Sequence, residues 1–75
     1  MLYIIAKSEH QANEYAYSKG LSVLEARPVR SVNSLHGIDR GMKVVCVGNY
    51  YERKDWPDLQ TMLREREAVV TVDHD

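Results

Sequence analysis

Lys7 and Ser8 stand directly after an apolar run, Leu2 to Ala6, and in front of a segment with helical spacing. An ammonium, a hydroxyl and the exposed N–H groups of a helix start are groups that hold a phosphate or a carboxylate. Asn49 and Arg53 follow a second apolar run, Val44 to Val47, so a guanidinium can join them if both runs are parallel strands. Ser31 closes a third extended segment. Ligands of open parallel sheets bind beyond the carboxyl ends of the strands, which makes Lys7, Ser8, Ser31, Asn49 and Arg53 the candidate anion site. Ordinary capping by Ser8, and a Lys7 stem lying along the surface, account for the same residues without a ligand.

The segment Tyr50, Tyr51, Glu52, Arg53, Lys54 is a second candidate, an interaction loop. With Trp56 it places three aromatics and two adjacent cations within seven residues, a composition that anchors protein partners or stacks on bases. If the two tyrosines point to opposite sides, one packs and the other is exposed, which suits a small protein interface.

Other chemistries lack their residues. A P-loop needs glycines that let the backbone wrap the phosphates, and Ala6-Lys7-Ser8-Glu9 has none. The glycines Gly20, Gly37, Gly41 and Gly48 never show dinucleotide-binding spacing. His10, His36 and His74 are scattered without a second metal ligand at helical or hairpin spacing, and Ser8 lacks the flanking glycines of a nucleophile elbow. Cys46 is the single cysteine and sits among valines, as a small buried hydrophobe does. No catalytic residue, metal or cofactor is assigned.

The elements that position these residues follow from pattern. Leu2 to Ala6 is continuously apolar, as in a strand buried on both faces. Ser8 opens a helix, with Gln11 reaching back in a capping box and Glu9 suited to the positive end. Ala12, Tyr15, Ala16 and Lys19 share one face, and Gly20 stops the helix with Leu21 as the hydrophobic contact of a Schellman ending. A short strand falls within Glu25 to Ser31, where Pro28 implies an edge strand or a position whose N–H faces away from its neighbour. A helical turn is expected from Ser31 to Gly37, and Asp39-Arg40-Gly41 is a loop. Lys43 to Gly48 is a second buried strand. Asp55 is expected to cap a second helix with Pro57 in its first turn and a stripe of Trp56, Leu59, Met62 and Leu63. Ala68 to Val72 forms the last strand, and residues 73–75 a polar tail. The result is one small α/β domain with a mostly parallel four-stranded sheet in the order 2-1-3-4, flavodoxin-like in connectivity.

Seventy-five residues allow one domain with a thin stability margin. A lone cysteine, no bilayer-length apolar run and no basic lead-in to the first strand imply a cytoplasmic protein. The net charge of −1 argues against a general nucleic-acid binder. Its distribution is uneven. Residues 26–54 carry Arg27, Arg30, Arg40, Lys43, Arg53 and Lys54 against Asp39 and Glu52, a balance of +4. Residues 55–75 carry Arg64 and Arg66 against Asp55, Asp58, Glu65, Glu67, Asp73 and Asp75, a balance of −4. Such asymmetry steers a partner or a second copy.

The opening strand, the helix with Ala12 and Tyr15, and the segments Arg30-Ser31-Val32-Asn33-Ser34-Leu35-His36-Gly37 and Val47-Gly48-Asn49-Tyr50-Tyr51-Glu52-Arg53-Lys54-Asp55 resemble small proteins of actinobacterial bacteriophages. The resemblance implies a phage origin, a site of action in the host cytoplasm and a Rossmann-like or degenerate P-loop-like half-domain; it brings no catalytic residues. The expected function is a non-enzymatic accessory module that binds a host or phage protein. The alternatives are a degenerate nucleotide- or phosphate-binding domain and a weak nucleic-acid binder. A homodimer through an unpaired sheet edge is expected, with no membrane partner.

Overall fold

A computed structural model describes residues 2–22, 25–31 and 41–73 of the chain. The elements run β1 (Leu2–Ile5), α1 (Glu9–Ser18), β2 (Ala26–Pro28), β3 (Lys43–Val47), a 3-10 turn (Tyr50–Glu52), α2 (Trp56–Glu65) and β4 (Val69–Asp73). All strand pairs are parallel and the sheet order is β2-β1-β3-β4, as the alternation of strand and helix patterns predicts. Apart from Ser31 itself, the helical turn expected at Ser31 to Gly37, like the loop at Asp39 and Arg40, lies outside the described residues.

β1 and β3 are central because they are apolar on both faces. Ile4 and Ile5 are fully buried and point to opposite sides. On one side Ile5, Val44 and Cys46 pack with Leu59 and Leu63 of α2, while Tyr50, Trp56 and Met62 lie half-buried against them. On the other, Ile4, Val45 and Val47 meet Ala12 of α1, whose small side chain lets helix and sheet approach closely. The two helices thus sandwich the sheet. Pro28 lies on the edge strand β2, where its missing N–H costs no ladder bond.

Local signals explain both helix boundaries of α1. The Ser8 hydroxyl accepts from the Gln11 N–H at 3.2 Å. The Gln11 side chain does not reach back, because its Oε1 lies against Gly48. Gly20 adopts φ +70°, the Leu21 N–H donates to the Ala16 carbonyl and the Gly20 N–H to Tyr17, completing the Schellman ending. α2 ends in the same pair of bonds, Ala68 to Leu63 and Glu67 to Arg64, with Glu67 at φ +53° in the glycine position.

Asp55 does not cap α2 as expected. It occupies the N-cap position without a side-chain cap bond, since its carboxylate is held by Arg53. Asp73, expected to open a polar tail, instead pairs with Val47 as the last residue of β4 and accepts a hydrogen bond from the Tyr15 hydroxyl at 2.9 Å, while residues 74–75 lie outside the described residues.

Candidate functional site at the carboxyl ends of the strands

Parallel pairing brings the ends of β1, β2 and β3 to one edge of the sheet, and the loop after β3 folds back across that edge. Arg53 is the residue this loop delivers. Its side chain is only 9% exposed, although it is a cation. Nη1 donates to the carbonyls of Val29 at 2.6 Å and Ala6 at 3.3 Å, and Nη2 to the carbonyl of Arg30 at 2.8 Å. Nε and Nη2 each donate to Asp55 at 2.9 Å in a two-pronged pair. A guanidinium has five N–H groups, and these contacts engage all of them. Arg53 is therefore a clamp that ties the ends of β1 and β2 to the start of α2. Its charge is met by Asp55.

Beside the clamp is a shallow cleft of about 190 Å³ lined by Lys7, Ser8, Glu9, Val29, Arg30 and Arg53. The structure brings together three of the five anion-site candidates, Lys7, Ser8 and Arg53; Ser31 and Asn49 do not line the cleft. Each cation lining the cleft meets a carboxylate: Lys7 lies 3.6 Å from Glu52, Arg30 2.8 Å from Glu9, and Arg53 is paired as above. An incoming anion thus finds local charge near balance rather than a positive funnel. The volume is below the usual range of roughly 300–1,000 Å³ for ligand pockets.

The interaction loop divides its residues between structure and surface. The Tyr50 ring meets Trp56 edge-on, with centroids 4.9 Å apart and planes at 75°. Tyr51 meets Tyr50 in turn at 5.5 Å and 81° and is 60% exposed. The three rings form a ladder from the half-buried Trp56 to solvent, with contact geometry favoured by the ring quadrupoles. One tyrosine packs and the other is displayed. Lys54 is exposed, and Glu52, also exposed, pairs with Lys7.

The remaining candidate groups are placed as follows. Cys46 is fully buried, and desolvation pushes its thiol up to about 11, so it is protonated and inaccessible at neutral pH. His10 is exposed and lies 2.9 Å from Glu14 one helical turn away. Among the described residues, no three potential metal ligands converge and no helix is long and apolar enough to cross a membrane. His36 and His74 lie outside the described residues.

Two features escaped the sequence pattern. The Arg53–Asp55 pair is visible only as an Arg-x-Asp spacing, which gains meaning once the loop is known to fold over the strand ends. The exposure of Val69, Val70 and Val72 on β4, at 55%, 44% and 39%, is hidden because a β-branched run is also what a buried strand contains. Compared with protein-family models, with curated proteins and with solved structures, the chain matches none.

Proposed function

We propose that this protein is a non-enzymatic protein-interaction module that presents Tyr51 to a partner, on a loop that also carries the exposed Lys54. The observation that carries this reading is the ladder Tyr51–Tyr50–Trp56 held over the strand ends by the Arg53 clamp. A tyrosine supplies a large contact area with few rotatable bonds, and a ring already held by its neighbours loses less freedom on binding. Tyrosine at the centre of a small contact is also a residue type that carries binding energy. A host or phage protein is the partner class that the family resemblance adds, with the cytoplasm as the setting.

The test uses the intact chain as bait, alongside Tyr51→Ala. Proteins captured by the wild type should be lost with Tyr51→Ala while the melting temperature stays within about 2 °C, as a mostly exposed residue implies. Equal capture by both baits would remove the loop from the account. Arg53→Glu does not serve here, because it breaks the clamp and confounds binding with folding.

A nucleotide- or phosphate-binding reading has less support, because the cations at the cleft are paired and the guanidinium is occupied. The nucleic-acid reading loses Arg53 from its basic segment for the same reason.

A further inference from the structure

The sheet has two edges, and they differ. β2 is three residues long and carries Arg27 and Pro28, a charge and a missing N–H, which are devices that discourage strand addition. β4 is five residues long, Val69-Val70-Thr71-Val72-Asp73, with no proline or lysine and with three valines exposed. Its exposed residues lie on both faces of the sheet. Val70 and Val72 are in register with Val44 and Cys46 on the α2 face, while Val69 and Thr71 are in register with Lys43 and Val45 on the α1 face.

The backbone says which groups are offered outward. The Val69 N–H donates to the Met42 carbonyl at 2.8 Å, so Val69, Thr71 and Asp73 turn their backbone groups toward β3. Alternation then turns the N–H and C=O of Val70 and Val72 away from the sheet, and no strand of the described residues lies beyond them.

This edge is complementary to itself. Laid antiparallel to a second copy about a two-fold axis at Thr71, Val70 faces Val72 of the second copy. Both residues point their backbone groups across the gap and exchange two hydrogen bonds, and Val72 does the same with Val70 of the second copy. The Val-Thr-Val sequence is symmetric about the axis, so valines meet valines on the α2 face and threonine meets threonine on the α1 face. Charge fits as well. Val69 lies opposite Asp73 of the second copy, and Lys43, in register with Val69, is one strand farther. Two strand spacings make about 9.6 Å, a distance the Lys43 and aspartate side chains span together. Lys43 would add a second cation beside a carboxylate that already accepts from the Tyr15 hydroxyl at 2.9 Å and lies 4.0 Å from Lys19 within its own copy, twice by symmetry.

We propose that β4 is a homodimerisation edge, through which two copies pair antiparallel about Thr71 into one continuous sheet. This surface is separate from the Tyr51 loop, and either can fail without the other. The wild type should sediment as a dimer at high micromolar concentration, and Thr71→Lys, which sets two ammonium groups together on the axis, should weaken association at least about tenfold while leaving the circular dichroism spectrum unchanged. Mild oxidation of Thr71→Cys should give a covalent dimer, because residues facing each other on the axis lie within disulfide range. Val69→Cys should not cross-link, since its two copies are about 13 Å apart along the strands. A monomeric wild type at millimolar concentration, a dimer that survives Thr71→Lys unweakened, or equal cross-linking at both positions would overturn the proposal.

Discussion

Replacing Arg53 by methionine keeps most of the side-chain stem and removes the guanidinium. The carbonyls of Ala6, Val29 and Arg30 and the carboxylate of Asp55 then lose their donors together. Removing one member of a buried ion pair costs about 3–5 kcal/mol, and a hydrogen bond to a charged group contributes about 1.5–3 kcal/mol. Asp55 is 31% exposed and partly rehydrates, which places the expected loss at the low end, about 3 kcal/mol. At about 0.05–0.15 kcal/mol per residue, a domain this small has roughly 4–11 kcal/mol in total, so the loss is a large share of it. Urea unfolding followed by the fluorescence of Trp56, the single tryptophan, reads it directly. The midpoint should fall by about 2–3 M at a slope near 1 kcal/mol/M, with the slope unchanged. Arg53→Lys should lose about half as much, because one ammonium keeps the charge but cannot follow the planar fork. Combining Arg53→Met with Asp55→Asn should cost less than the two changes summed, since both remove one interaction. A stability of Arg53→Met within about 0.5 kcal/mol of the wild type would refute the clamp.

Burial that raises the Cys46 thiol from 9.0 to about 11 favours the folded state below pH 9. Above that the unfolded chain releases the proton first, so about 2–3 kcal/mol should be lost between pH 9 and 11. Cys46→Ala should show a shallower decline over that window in urea titrations; parallel declines would dismiss the coupling. Gly20 and Glu67 share the left-handed helix ending, so Gly20→Ala should destabilise by about 1–2 kcal/mol and Glu67→Gly should stabilise by about 1 kcal/mol, read as opposite shifts in melting temperature. Phosphate at millimolar concentration should raise the melting temperature no more than chloride at equal ionic strength, because the cleft cations are paired; a rise of several degrees specific to phosphate would reinstate the anion site.

The fold was legible where local chemistry and tertiary demand agree. The continuous apolar runs of β1 and β3 marked them as interior strands, Pro28 marked an edge, and Ser8 and Gly20 bounded α1. The site was legible only in composition. Lys7, Ser8 and Arg53 do gather at one edge, but whether a guanidinium faces solvent or carbonyls depends on how the eight-residue connection from β3 to α2 folds over strands distant in sequence. Arg53 joins carbonyls 47 and 24 residues away, and no window of local pattern contains that information. Asp55 illustrates the same competition: its residue type suits a helix cap, yet the buried cation two positions earlier takes the carboxylate.

Two features of the described residues bear on the surfaces proposed for contact. In larger sheets of this connectivity, glycines open the crevice at the strand ends so that a ligand can approach the backbone. Here the crevice lacks glycine at the β1–α1 junction, and the protein's own Arg53 fills the neighbouring strand ends with donors. Meanwhile, two ten-residue helices cover the interior strands and leave β4 exposed on both faces. Exposed valine surface and outward backbone groups favour covering that edge, and the strand that fits its Val-Thr-Val register and its Lys43–Asp73 charge spacing is another copy of itself. The interior chemistry holds a small sheet closed, which leaves the displayed Tyr51 and β4 as the surfaces proposed for recognition.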